Sequence, residues 1–242
     1  MELEYYGIKD IGKKRENQED NILINKNLNL FIVADGMGGH NAGEVASKMA
    51  VTLIEKYIKM NSIKKFIPEN LIENGIISAN REIYKASLQN SNRKGMGTTV
   101  ILLFFYKDKY YIANVGDSRA YLFRYNTLIQ LSEDHSLVYE QYKMGLIKRE
   151  DMEKSPYKNI ITRAVGINPN VKIDIYKNEF EKDDIFLLCS DGLYNEVSDS
   201  EIKSILKNNF PLQTLGKQLI ERANNKGGND NISLILIKVL KE

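Results

Sequence analysis

The chain has 242 residues, 43% of them hydrophobic and 27% charged, with a formal net charge of +2. That size supports a substantial core, and the near-neutral balance excludes a strong basic field for nucleic acid or an anionic membrane. A single cysteine, Cys189, excludes an internal disulfide. No apolar run approaches the roughly 18 residues of a membrane span, and Met1–Tyr6 has no signal-peptide character, so a cytoplasmic protein with no membrane or nucleic-acid partner is expected.

In chain order, Leu28 to Ala34 is a short apolar run ending at Asp35-Gly36 and reads as a buried strand. Ala42 to Lys59 places Val45, Met49, Leu53 and Tyr57 on one face, with Ala46, Ala50, Ile54 and Ile58 beside them, which predicts an amphipathic helix. Pro68 suits the first turn of a second helix running to about Leu88. Thr98 to Tyr106 and Tyr110 to Val115 predict a hairpin, as do Ala120 to Arg124 and Leu128 to Leu131 around Asn126. The polar segment from Asp134 to Gly166 reads as a helical excursion over one rim. Strands are expected at Val171 to Tyr176 and Ile185 to Ser190. Ser198 with Glu201 reads as a capping box opening a helix, Pro211 opens another through about Asn224, and Asn231 to Val239 is the last strand.

Neighbouring strands with short turns imply antiparallel sheets whose outer faces the long helices must cover. The expected class is α+β, a four-layer α-β-β-α sandwich of two packed antiparallel sheets. Without linkers or repeats, residues 1–242 read as a single domain.

Aspartates carry the chemical signal. Asp35, Asp117 and Asp191 each follow a predicted strand, and Asp230 just precedes one. A single Asp-Gly after a strand is ordinarily a turn. Four carboxylates at converging strand ends would repel one another unless a hard divalent cation neutralised them, and an oxygen-only set selects magnesium, manganese or calcium over zinc. Position alone leaves the turn reading and the metal reading both open. The loop from Asp35 to His40 is glycine-rich and precedes a helix, but lacks the Lys-Ser/Thr ending of a P-loop. Arg15 beside such carboxylates would suit bidentate phosphate recognition. His40 beside a metal site could protonate a leaving alkoxide. His135 is expected near the rim in a structural role.

These segments, in order along nearly the whole chain, resemble the PPM family of metal-dependent Ser/Thr phosphatases, the type 2C enzymes, in its compact bacterial form. The resemblance is carried by Arg15-Glu16-Asn17-Gln18-Glu19-Asp20, by Asp35-Gly36-Met37-Gly38-Gly39-His40 with Ala42-Gly43-Glu44, and by Gly97-Thr98-Thr99. It continues through Val115-Gly116-Asp117-Ser118-Arg119-Ala120-Tyr121, Asp134-His135-Ser136-Leu137 and Ile161-Thr162-Arg163-Ala164-Val165-Gly166, and ends with Ser190-Asp191-Gly192-Leu193 and Gly228-Asn229-Asp230-Asn231.

The resemblance implies hydrolysis of phosphoserine and phosphothreonine by in-line attack of a metal-bridging hydroxide, in a signalling enzyme opposing a Ser/Thr protein kinase. It implies two to three divalent cations, Mn2+ or Mg2+. Asp35 would bridge two metals with the Gly36 carbonyl on one, and Asp191 and Asp230 would hold the other. Asp117 would help a third, weaker ion. Asp20 and Glu19 would act through metal-bound water, Arg15 would grip the substrate phosphate, and His40 would be the general acid. Residues 134–169 would form a mobile flap, and the substrate would be a phosphorylated protein met by a monomer. Two departures are visible: Asn195 stands where many relatives have an aspartate, which puts the third metal's affinity in question, and Ser155-Pro156 stands where a His-Pro is common. Two other classes are compatible with parts of the pattern. One is a phosphopeptide-binding module with a failed site. The other is a different two-metal hydrolase, either a nuclease, which the near-neutral charge disfavours, or a small-molecule phosphatase.

Overall fold

The computed structural model describes residues 1–38, 42–63, 65–152 and 155–241. The chain runs β1 (Glu2–Asp10), β2 (Asn21–Asn25), β3 (Leu30–Ala34), β4 (Gly36–Met37), α1 (Ala42–Asn61), α2 (Pro68–Gln89), β5 (Gly97–Thr98), β6 (Val100–Tyr106), β7 (Lys109–Val115), β8 (Arg119–Arg124) and β9 (Thr127–Gln130). It continues with α3 (Leu137–Lys143), α4 (Arg149–Met152), β10 (Asp174–Glu179), β11 (Ile185–Cys189), α5 (Asp191–Tyr194), α6 (Asp199–Leu206), α7 (Leu212–Lys226) and β12 (Ile232–Lys241).

Two five-stranded sheets form, ordered β1-β12-β11-β8-β9 and β10-β7-β6-β3-β2, with every pairing antiparallel. Strand alternation sorts the core into layers. Along β3, Phe31 and Val33 point between the sheets, where they join Ile101, Leu103, Phe105, Phe186 and Ile235. Leu30, Ile32 and Ala34 point the other way, onto α1 and α2. On the far side, Leu187, Cys189, Leu234 and Leu236 meet α6 and α7 through Ile202, Leu206, Leu215 and Leu219. The result is the expected helix–sheet–sheet–helix stack. Because β3 and β11 are covered on both faces, they read as continuous apolar runs rather than alternating ones.

Local chemistry explains the turns. The β8–β9 hairpin closes on Tyr125 and Asn126, both with positive φ (48° and 56°), the geometry of a two-residue primed turn. Pro68 occupies the first turn of α2. The Ser198 N–H donates to the Glu201 carboxylate at 3.1 Å, closing the capping box of α6. One strand is displaced from its expected span: the sequence pattern points to Val171 to Tyr176, whereas β10 occupies Asp174–Glu179, set by its pairing with β7. The excursion between β9 and β10 carries α3 and α4, as expected. Among the described residues no helix is long and apolar enough to cross a membrane.

The topology brings one set of strand ends together. The chain leaves β3 at Asp35, β7 at Gly116-Asp117 and β11 at Ser190-Asp191, and enters β12 just after Asp230. These four points lie at one end of the two sheets.

Candidate active site

Asp35 is fixed through its backbone. Its N–H donates to Thr99 Oγ1 at 2.9 Å, and its carbonyl accepts the Thr98 hydroxyl and the Thr99 N–H, both at 2.8 Å. Thr99 is the residue that separates β5 from β6, so the predicted strand from Thr98 is split to make this clamp. Gly36 then packs against Gly43 and the Glu19 backbone so closely that a Cβ would meet the Gly43 carbonyl oxygen at 2.1 Å. Only a glycine fits, and the contact joins the start of α1 to the Asp35 loop.

Asp191 opens α5, and its Oδ2 accepts the Asn195 side-chain amide at 3.0 Å. The Asp35 carboxyl lies close enough to Asp191 to lower its proton affinity, against burial and the charge of Asp230, which raise it. Asp20 is buried. Its Oδ2 accepts the Ser190 hydroxyl at 2.7 Å, whereas its Oδ1 is buried outside hydrogen-bond geometry, with Ser233 beside the same carboxyl. Glu19 donates its N–H to Asn231 Oδ1 at 2.7 Å. Asp230 is turned toward Arg15, with Nη2 and Oδ2 2.6 Å apart.

Electrostatics confirm how unfavourable this grouping is for bare protein. Burial, followed by the charges of Asp20, Asp191, Asp117 and Asp230, drives the Asp35 carboxyl well above the usual carboxylate range. Burial pushes Asp20 to about 7. Burial and then Asp191 push Asp117 to about 8, and burial with Asp230 pushes Asp191 to about 6. Burial also raises Glu19, and the hydrogen bond to Asp230 raises Arg15. A set of mutually repelling oxygen ligands, with Asp20 and Asp117 buried, Asp35 and Asp191 partly so, and one buried carboxylate oxygen of Asp20 unpartnered, fits a hard divalent cation. Among the described residues no three acidic, histidine or cysteine side chains converge on one point. Asp230 is instead paired with Arg15.

The structure thus gathers Asp20, Asp35, Asp117, Asp191 and Asp230 around one cleft, with Glu19, Gly36 and Arg15 at its edge. His40 lies outside the described residues. His135 is buried against the Gly116 loop rather than at an outer rim. Cys189 is buried in β11, and burial pushes its thiol up, so it is no nucleophile.

Several residues around the cleft are not singled out by sequence reasoning. Asn231 donates to the carbonyls of Ile11 and Asn17 at 3.0 and 2.9 Å and accepts from Glu19, so one side chain shapes the whole loop bearing Arg15. Its place beside Asp230 in the Gly228–Asn231 motif is the available signal. Arg119 holds Asp134 through Nε and Nη2, the latter at 2.6 Å, and stacks over the Tyr194 ring at 3.6 Å. This pair floors a groove of about 1000 Å3 running from Asp117 and Asn195 under α3 and α4, with Tyr139 and Tyr142 on its wall.

A carboxylate cleft at one end of a helix-covered double sheet is the arrangement expected of a metal-dependent phosphatase. The chain belongs to the protein phosphatase 2C family, which residues 11–236 match. It is 42% identical over 234 residues to the serine/threonine phosphatase stp of Listeria welshimeri, covering 95% of this chain and 93% of that protein. It is 38% identical over 243 residues to the protein phosphatase PhpP of Streptococcus pneumoniae, covering 96% of each. Among solved structures, the Mycobacterium tuberculosis serine/threonine phosphatase PstP/Ppp superposes with a TM-score of 0.92 at 30% identity over 99% of both chains. A structure of the PstP catalytic domain in complex with two manganese ions superposes with a TM-score of 0.89 at 30% identity, again over 99% of both chains.

Proposed function

We propose that the five-aspartate cleft is a binuclear centre at which the protein hydrolyses phosphoserine and phosphothreonine directly with water. The observation that carries the reading is the gathering of Asp20, Asp35, Asp117, Asp191 and Asp230 at one end of the two sheets, where burial and then mutual repulsion raise the Asp35 carboxyl and a pair of divalent cations would relieve both. Asp35 and the Gly36 carbonyl would hold one ion, and Asp35, Asp191 and Asp230 the other. Asp117 would contribute to a third, weaker position, where Asn195 offers an amide in place of a carboxylate. When bound, such ions, Mn2+ or Mg2+, lower the pKa of water toward neutrality and offset charge on phosphoryl oxygens.

The chain's own groups do the remaining work. Asp20 and Glu19 orient water at the cleft, Asp20 being fixed in turn by Ser190. Arg15 is held at the mouth by Asp230, with its side chain half-exposed and its remaining N–H groups available to a phosphate. The groove beside Asp117 offers room for the peptide flanking the phosphorylated residue. The proton for the leaving serine or threonine oxygen is the role proposed for His40.

We further assign residues 1–242 to one catalytic domain with a flap over 134–169. The proposed setting is a cytoplasmic monomer opposing a Ser/Thr protein kinase. The single, buried cysteine suits a reducing compartment.

The test is phosphate release from a phosphothreonine peptide in Mn2+, in EDTA, and by Asp191→Ala in Mn2+. Activation by Mn2+ with loss in both other arms supports the reading. A folded protein silent across Mn2+ and Mg2+ with several phosphopeptides overturns it.

A further inference from the structure

His135 is a buried histidine that the chemistry above does not use. Its ring Nδ1 accepts the Gly116 backbone N–H at 3.0 Å, and its own backbone N–H donates to the Gly116 carbonyl at 3.0 Å. A backbone N–H can only donate, so Nδ1 is bare and the neutral ring carries its proton on Nε2. Nε2 donates to Asp174 Oδ2 at 3.0 Å; Arg163 Nη1 also lies 3.0 Å from Nε2, but a guanidinium can only donate, so its hydrogen goes to Asp174 Oδ1 at 2.8 Å. Asp174 therefore fixes both the tautomer and the ring plane.

What the ring holds is a turn that only glycine makes without strain. Gly116 has φ +108°, and a Cβ there would meet Thr99 Cγ2 at 2.6 Å. The residue after it is Asp117. An apolar side chain in place of His135 would leave the Gly116 N–H buried and unpaired, free to turn elsewhere. The same histidine is built into the stem of the 134–169 excursion: its carbonyl accepts the Thr162 N–H at 2.8 Å, and Ser136 bridges to Ile161.

We infer that His135 is a positioning residue: by gripping both polar groups of Gly116 it sets Asp117 for a cation, and it ties that setting to the base of the flap. The inference rests on the reading of Asp117 as a ligand for a weakly held ion.

Side-chain length separates this role from space filling. In His135→Asn the amide oxygen falls near the Nδ1 position and can still accept from Gly116. In His135→Gln the amide lies farther out, near Nε2, and leaves Gly116 unpaired. Mn2+ binding is read by EPR of the free ion, with Asp117→Ala as control. The expected result is weak-ion affinity within threefold of the unsubstituted protein for Asn, a loss of tenfold or more for Gln, and no change in the tighter ions. Equal affinities for Asn and Gln, or better binding by Gln, overturn the inference. If Asp117→Ala itself leaves all Mn2+ binding unchanged, the reading of Asp117 as a ligand is what falls. Imidazole 15N spectra of the unsubstituted protein give an independent check that needs no variant. They should show a bare Nδ1 coupled to the Gly116 N–H and shifting when Mg2+ is added, whereas a ring protonated at Nδ1 overturns the assignment.

Discussion

Arg15 and Asp230 meet at 2.6 Å across 215 residues of sequence, so each engages part of the group that the proposed phosphate and cation would bind. A cation at Asp230 and a phosphate at Arg15 would each satisfy one partner and release the other, so the two ligands favour one another's binding. Replacing Arg15 with Ala removes a charged hydrogen-bond donor to phosphate, for which roughly 1.5–3 kcal/mol is typical. The expected outcome is a fall in kcat/KM for a phosphopeptide by about ten- to a hundredfold, carried mostly by KM. Mn2+ affinity should hold or rise, since Asp230 is freed. Steady-state kinetics paired with Mn2+ titration checks both halves, and a variant that loses Mn2+ binding as well contradicts this account.

Metal-free protein should become less stable as pH rises. Asp20, Asp117 and Asp191 have folded pKa values of about 7, 8 and 6, above an unfolded value of about 3.9. Between those limits the native state binds more protons than the unfolded state, so stability falls with pH. The protonated cluster contributes fully below about pH 4, and that contribution declines from there, its loss complete once pH has passed the folded values of about 6 to 8. A tenfold difference in proton affinity between the folded and unfolded states is worth about 1.4 kcal/mol. Thermal melts in EDTA from pH 5 to 8.5 should show a declining Tm, and Mn2+ should flatten the curve. A Tm in EDTA that climbs through neutral pH contradicts the buried-carboxyl picture.

Asp134→Ala should be costly without touching a proposed metal ligand. Arg119 is largely buried between Asp134 and Tyr194, and removing Asp134 strands its guanidinium. Breaking one side of a buried ion pair costs about 3–5 kcal/mol, and for a chain of this size each kcal/mol lowers Tm by roughly 2–4 °C. Differential scanning calorimetry gives the number directly, and a change below about 1 kcal/mol would mean that the pair behaves as an exposed one.

Gly43→Ala tests the seam between α1 and the Asp35 loop. A Cβ at Gly43 would lie 2.8 Å from the Gly36 carbonyl atoms and 2.9 Å from Glu19 Cδ. Backbone on that side cannot yield without moving Asp35. Activity should drop by more than tenfold while the far-side helices α6 and α7 keep their amide protection, as read by hydrogen exchange.

Much of the fold and cleft is legible in the sequence because the informative residues sit where backbone rules change. Asp35-Gly36, Gly116-Asp117 and Asp191-Gly192 each mark the end of a doubly covered strand, and such strands advertise themselves as apolar runs. The edge strands β1 and β2 do not, whereas the edge strand β9 is announced by its hairpin. β1 and β2 are half-buried along their length, with charged and polar residues mixed through them, so neither shows a strand pattern. β10, at the other edge of its sheet, ends in the exposed Lys177–Glu179, and the apolar pattern stops short of it for the same reason. α5 is four residues long, below any helical period. The Arg119–Asp134 and His135–Asp174 contacts join residues that only the folded sheets bring together, so no spacing rule could announce them.

The pairing of β1 with β12 spans residues 2 to 241, and Asn231 fastens the Arg15 loop to the start of that closing strand. During synthesis the chain therefore cannot complete its cleft until the segment around Asp230 has left the ribosome. The nascent protein carries Asp35 and Asp117 early but lacks Asp191 and Asp230, and its first strand has no partner. If Asp191 and Asp230 hold a cation as proposed, a translation product truncated before them lacks half of the ligand set.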